Sequence, residues 1–237
     1  MIDLEINTQP DDESCGPTSL HAIYRYYGHD IPLEHLIRNV ERSLSGGTLA
    51  SMLGKHALQQ GFRTTLYVNN LSIFDPSWFD KGIGCPETIM RKLRAQMKYK
   101  RTKSMLQASK AYYNYVEAGG EICFRTLSVK LLKEYFSQNI PILTGLSATY
   151  LYRSPREVFT PEGVAMYDDI RGTPCGHFVV LCGYDEQNRL IVVADPHREN
   201  PLSHNNRYTV SSARLINAIM LGVLTYDANL LIIQPGG

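Results

Sequence analysis

Helical periodicity fills the first half of this chain and strand-length apolar runs fill the second, an ordering that constrains the fold more than any single motif. A first helix opens near Ser14 to Gly16 and runs through Tyr27, with Leu20, Ile23, Tyr24 and Tyr27 at helical spacing and Gly28 as its stop. A second is expected over Leu33 to Ser43, and GGTLASMLGKHALQQG reads as a turn followed by a third. FRTTLYVNN is strand-like at its end. CPETIMRKLRAQMKYKRTKSMLQASKAYYNYVEAGG reads as one or two polar, basic helices closed by Gly119-Gly120. After the short helix SVKLLKEYFSQ come strands near IPILTGL, GHFVVLCGYD, RLIVVAD, RYTV and LLIIQ. DEQN is a polar turn joining two of them antiparallel, with Asn188 the candidate for positive φ. The expectation is therefore α+β, an N-terminal helical half packed on a C-terminal antiparallel sheet.

Composition narrows the function classes. With 237 residues, 43% of them hydrophobic and 20% charged, the chain is globular and can bury a sizeable core without staples. A formal net charge of +1 gives no global footprint for nucleic acid or an anionic membrane, and neither is expected as a partner. The run Lys92, Arg94, Lys98, Lys100, Arg101 and Lys103 reads as a solvated face. Residues 1–17 are acidic and polar, unlike a secretory signal, and no apolar run is long enough for a bilayer. Five cysteines without paired spacing argue against a disulfide framework, so a reduced, cytoplasmic setting is expected. The sequence contains no repeat or low-complexity linker, and one domain over 1–237 is the expectation.

Three segments carry the chemistry: QPDDESCGP, GHFVVLCGYD and LIVVADP. A cysteine is ordinarily a small buried hydrophobe. Cys15 differs: it follows an acidic loop and sits at a predicted helix N-terminus, where free N–H groups and the helix dipole favour a thiolate. His177 opens a strand after Pro174-Cys175-Gly176, and Asp195 closes the next in a hydrophobic context where an unpaired carboxylate is expensive. Antiparallel pairing brings the start of one strand near the end of the next, so Asp195 can orient the His177 ring. Gln9, six residues before Cys15, offers a side-chain amide to an oxyanion, with the Cys15 N–H as second donor.

Gln-x5-Cys-Gly-Pro entering a helix, followed by Gly-His-Phe-Val-Val-Leu-x-Gly-Tyr-Asp and Ala-Asp-Pro, resembles the papain-like bacteriocin-processing (double-glycine) cysteine peptidase-like family. The resemblance runs from about Gln9 to about Asn200 in element order, with its specific motifs in three patches. It implies Cys15 as nucleophile, His177 as general base and acid, Asp195 as orienting partner and Gln9 in the oxyanion hole. The family's best-known members are fused to membrane transporters and cleave leader peptides after Gly-Gly, whereas no transporter is present here. Against the minimal fold, about 74–120 is expected to be a helical insertion.

The mechanism so implied is acyl transfer through Cys15 onto water, with a peptide or amide substrate, a modified or leader peptide among them. A phytochelatin-synthase-like transpeptidase would share the first half-reaction, and a noncatalytic peptide-binding module would keep only the cleft. No cofactor is implied. Cys175-Gly176-His177 lacks a second ligand pair, so no metal is expected. His197 and His204 are expected to be solvated, His21 and His56 structural, and Tyr150 and Tyr152 packing residues.

Overall fold

Each expected helix forms, and its boundaries follow from local chemistry. In the computed structural model, which describes residues 1–43, 46–160, 165–225 and 228–236, helix α1 spans Cys15–Tyr26 and α2 spans Leu33–Asn39. Gly28 ends the first with φ +73. The second stops short of Ser43 because Val40 turns extended and drops its side chain into the core. Helix α3 (Ala50–Gln59) leads into strand β1 (Phe62–Val68), so the strand occupies most of FRTTLYVNN.

The stretch 74–120 is only partly helical. It begins with β2 (Phe79–Asp80) and β3 (Ile83–Gly84), continues through α4 (Pro86–Gln96) and α5 (Lys103–Glu117), and returns in β4 (Glu121–Cys123). Its two short strands extend the main sheet. The basic run lies mostly on the exposed side of α4 and the turn after it.

The rest of the chain supplies α6 (Val129–Phe136), β5 (Ile142–Ser147), α7 (Ala148–Tyr152), β6 (Glu157–Phe159), β7 (Ala165–Tyr167), β8 (Gly176–Asp185), β9 (Leu190–Ala194), β10 (Arg207–Ser211), α8 (Ser212–Leu221) and β11 (Asn229–Pro235). The nine-stranded sheet has the order β10-β9-β8-β5-β11-β1-β4-β3-β2, and β6 and β7 form a separate hairpin. All pairs in the main sheet are antiparallel except β1 with β4. The sheet is thus mostly antiparallel, as expected, but recruits strands from the helical half as well. Helices α7 and α8 were absent from the sequence expectation.

Side-chain alternation along β8 shows how one sheet serves two cores. Phe178, Val180 and Cys182 face α1, α3 and α5, while Val179 and Leu181 face α6, α7 and α8. At the β8–β9 turn the positive φ falls on Arg189 (+55) and not on Asn188. The Asp185 carboxylate accepts both the Asn188 backbone N–H and its side-chain amide, which holds Asn188 inside the turn and passes the left-handed step to the next residue.

Candidate active site

Cys15 is the first residue of α1 and half-buried. At that position the backbone N–H has no carbonyl one turn back to bond. Gly16 allows the helix to come close, since a Cβ there would lie 2.3 Å from the Thr48 methyl and 3.3 Å from the Phe178 ring. One turn after Cys15, the Ser19 hydroxyl donates to the Phe178 carbonyl at 3.2 Å. Residues four apart share a helix face, so this bond sets Cys15 over the neighbourhood of His177, the residue before Phe178. Asp11 ties the preceding loop: its carboxylate accepts the Glu13 N–H and the Ser14 hydroxyl. Its charge is thereby directed to its own loop.

His177 and Asp195 meet on the face of the sheet that α7 and α8 cover. His177 Nε2 lies 2.8 Å from Asp195 Oδ1, with both side chains buried. Nδ1 is not engaged by Asp195, and Cys15 lies close enough to bear on the ring's charge. Burial by itself would depress the imidazole, but the Asp195 charge and hydrogen bond, with Cys15, lift it to about 10. Burial would likewise raise Asp195, and the His177 charge and the hydrogen bonds outweigh it and hold the carboxyl below its ordinary 3.8. The two shifts agree in favouring imidazolium beside carboxylate.

Asp195 is more fully engaged than a two-residue contact requires. Its Oδ2 accepts the hydroxyls of Tyr152 and Tyr208, each at 2.7 Å, and its Oδ1 also accepts the His197 N–H at 2.8 Å. Burial, then the Asp195 charge, pushes both phenols upward, so they stay protonated and donate. Register explains Tyr208: it pairs with Val193, two residues before Asp195, and so shares that face. Tyr152 is therefore a hydrogen-bond donor to Asp195 as well as a packing residue. A tyrosine at the second position of β10 was the available signal for Tyr208, but it needs the β9–β10 pairing to be read.

Gln9 reaches the same place through its backbone, whose N–H donates to the Pro196 carbonyl at 2.9 Å. Its Nε2 donates one hydrogen to the Asp11 carbonyl at 2.8 Å and keeps the other, while its Oε1 is buried without a partner. Gln9 and His177 line a cleft of about 250 Å³. Asp12, Glu157, Cys175 and His197 also line it, and the lining stops short of Cys15 itself. His197 is half-buried, its ring 6.3 Å from that of His177, so it belongs to the cleft and not to solvent. His204 is exposed, and His56 bonds the Tyr24 hydroxyl at 2.9 Å. Burial pushes up the thiols of Cys123, Cys175 and Cys182, the last to about 12, while Cys85 is exposed.

A sequence profile of the Peptidase_C39 like family matches residues 1–217. No curated protein is detectably similar in sequence. Among solved structures, one described as a C39-like peptidase from Bacillus anthracis aligns with a TM-score of 0.52 at 12% identity, covering 99% of this chain and 96% of that one. This is a likeness of fold. A double glycine motif protease from an AMS/PCAT transporter, solved with its leader peptide, aligns at 0.46 and 14% identity over 99% and 93% of the two chains. The peptidase domain of Streptococcus ComA, a bi-functional ABC transporter of a quorum-sensing pathway, aligns at 0.44 and 12% over 98% of each.

Proposed function

The chain belongs to the Peptidase_C39 like family, and on that premise we propose that it is a cysteine peptidase or amide hydrolase using Cys15, His177, Asp195 and Gln9. The observation that carries the reading is a buried imidazole bonded to a buried carboxylate, with a helix-terminal thiol close enough to bear on the ring's charge.

In the proposed reaction the Cys15 thiolate attacks the carbonyl carbon of a peptide or amide bond, forming the S–C bond. The Cys15 N–H and the free hydrogen of Gln9 Nε2 donate to the oxyanion. His177 gives its proton to the leaving amine as the C–N bond breaks, then takes one from the water that releases the acyl group. Asp195 fixes the ring's direction and compensates its charge. Tyr152 and Tyr208 act through Asp195 as positioning residues. The substrate is a peptide or amide, and a cytoplasmic setting and the reading of 74–120 as an insertion belong to the same proposal. No helix among the described residues is long and apolar enough to cross a membrane.

The test is alkylation by limiting iodoacetamide, followed thiol by thiol by mass spectrometry across pH, together with capture of an acyl-enzyme from a peptide library. Cys15 is expected to be modified far faster than the exposed Cys85 and the remaining thiols. Cys15→Ala should abolish the acyl adduct and leave the fold intact. Cys15 and Cys85 labelled at the same rate, with no acyl adduct, would leave only a peptide-binding module. Products carrying an added amine in place of water would identify a transferase.

A further inference from the structure

The cleft beside His177 holds two carboxyl groups that the proposed chemistry does not use. Asp12 enters from the loop ahead of α1 and Glu157 from β6. Neither makes an ion pair among the described residues, and no lysine or arginine lines the cleft. Glu157 is held in place by reciprocal backbone bonds with Thr173, at 3.1 and 2.9 Å. Both carboxyl groups lie close enough to act electrostatically on Cys175 and His197. His197 does not offset them: burial first, then the neighbouring His177, hold its ring toward the neutral form.

The remaining wall has the other half of a cation site. Met166 is 54% exposed and Tyr167 58%, and both line the same cleft. An apolar stem lies well on such a surface while its charged head reaches a carboxyl group, and an aromatic face adds attraction for the cation. The described residues contain no group of three His, Cys, Asp or Glu able to hold a metal ion, which leaves an organic cation as the better fit. About 250 Å³ suits one long side chain.

We infer that this cleft is a specificity subsite in which Asp12 and Glu157 receive a lysine or arginine side chain of the peptide substrate, close in sequence to the bond that is cleaved. The inference rests on the reading of Cys15 as nucleophile, and it deepens that reading by naming the substrate class.

Charge-paired methanethiosulfonates test it without knowledge of the natural substrate. The thiolate attacks the reagent's sulfenyl sulfur, an S–S bond forms, and methanesulfinate leaves, so the rate at Cys15 can be read by mass spectrometry for 2-aminoethyl, methyl and 2-sulfonatoethyl reagents. The ammonium-to-sulfonate rate ratio at Cys15 should fall by about tenfold in the Asp12→Asn, Glu157→Gln double variant. It should hold its parent value in Asp80→Asn, which changes an exposed carboxyl group on β2, at the opposite edge of the sheet. A Cys15 that reacts with the neutral methyl reagent but shows the same ratio in parent and double variant overturns the subsite alone. A Cys15 inert to the neutral reagent overturns the nucleophile reading, and the subsite with it.

Discussion

Asp195 is the residue on which the site's order depends, because a fully buried carboxylate must find a donor for each lone pair it presents. Four donors meet it, and two are tyrosine hydroxyls. Tyr152→Phe or Tyr208→Phe should each cost about 1.5–3 kcal/mol, the range for a hydrogen bond to a charged group. Equilibrium urea unfolding reads the loss, and the double variant should cost more than the sum of the two, because both hydroxyls share Oδ2 and each partly covers for the loss of the other. The pH dependence has a definite sign. The stabilisation from His177, lifted to about 10, is complete below its ordinary 6.5 and is lost as pH rises toward 10. That from Asp195, held below 3.8, is complete above 3.8 and is lost as pH falls through the lowered value. The difference in unfolding free energy between the parent and His177→Phe should therefore form a plateau between 3.8 and 6.5 and shrink at higher pH. A difference that stays flat to pH 10 would mean that the ring is neutral in the folded protein. Cys15, His177 and Asp195 were legible because their residue types are expensive or unusual where the sequence puts them. Tyr152 and Tyr208 were not, because a tyrosine fits a core equally well without a partner for its hydroxyl.

At the scale of elements, the meeting of Cys15 with His177 is a docking problem between α1 and β8. Ser19 contributes the directional bond and Gly16 the clearance. Gly16→Ala places a methyl group 2.3 Å from the Thr48 side chain and against Leu53 and Phe178, so the helix end must shift. Overpacking of this kind costs about 1–3 kcal/mol. The expected signature is a lowered melting temperature together with a larger relative drop in Cys15 alkylation rate than the stability loss implies, since the thiol is displaced from the ring. Unchanged alkylation in a destabilised variant would show that α1 yields elsewhere and that the glycine serves packing alone. The helix and its glycine stop were legible from periodicity. Helix α8 had a usable signature too, with Ser211 capping the Arg214 N–H ahead of Leu215, Ala218 and Ile219 in the core. Helix α7 has only five residues, too few for a period to show.

At the scale of the whole molecule, the segregated sequence pattern does not become two segregated halves. Strand β11, near the C-terminus, lies between β5 and β1, so the first and last thirds of the chain share the sheet's middle. Nothing local announces that pairing, because β1 and β11 read as ordinary strands whichever neighbour they take. The same sheet gives the stretch 74–120 a double character. Ile83 pairs with Cys123, so the chain leaves β3 and comes back beside it in β4, and a short turn could bridge Gly84 to Glu121 without disturbing the strands. Topology thus treats α4 and α5 as an excursion, in keeping with an insertion. Packing does not: Ile89, Leu93, Tyr112 and Tyr115 from these helices are fully buried with α3 and β1, and the Tyr115 hydroxyl bonds Thr64 at 2.9 Å. Removing one large aromatic from a core costs about 3–5 kcal/mol, and a domain holds only about 5–15 kcal/mol in all. Replacing residues 85–120 with a four-residue turn should therefore yield a chain that lacks a cooperative thermal transition and binds a hydrophobic dye. A sharp melt within about 5 °C of the parent would show that the two helices only rest on a core complete without them.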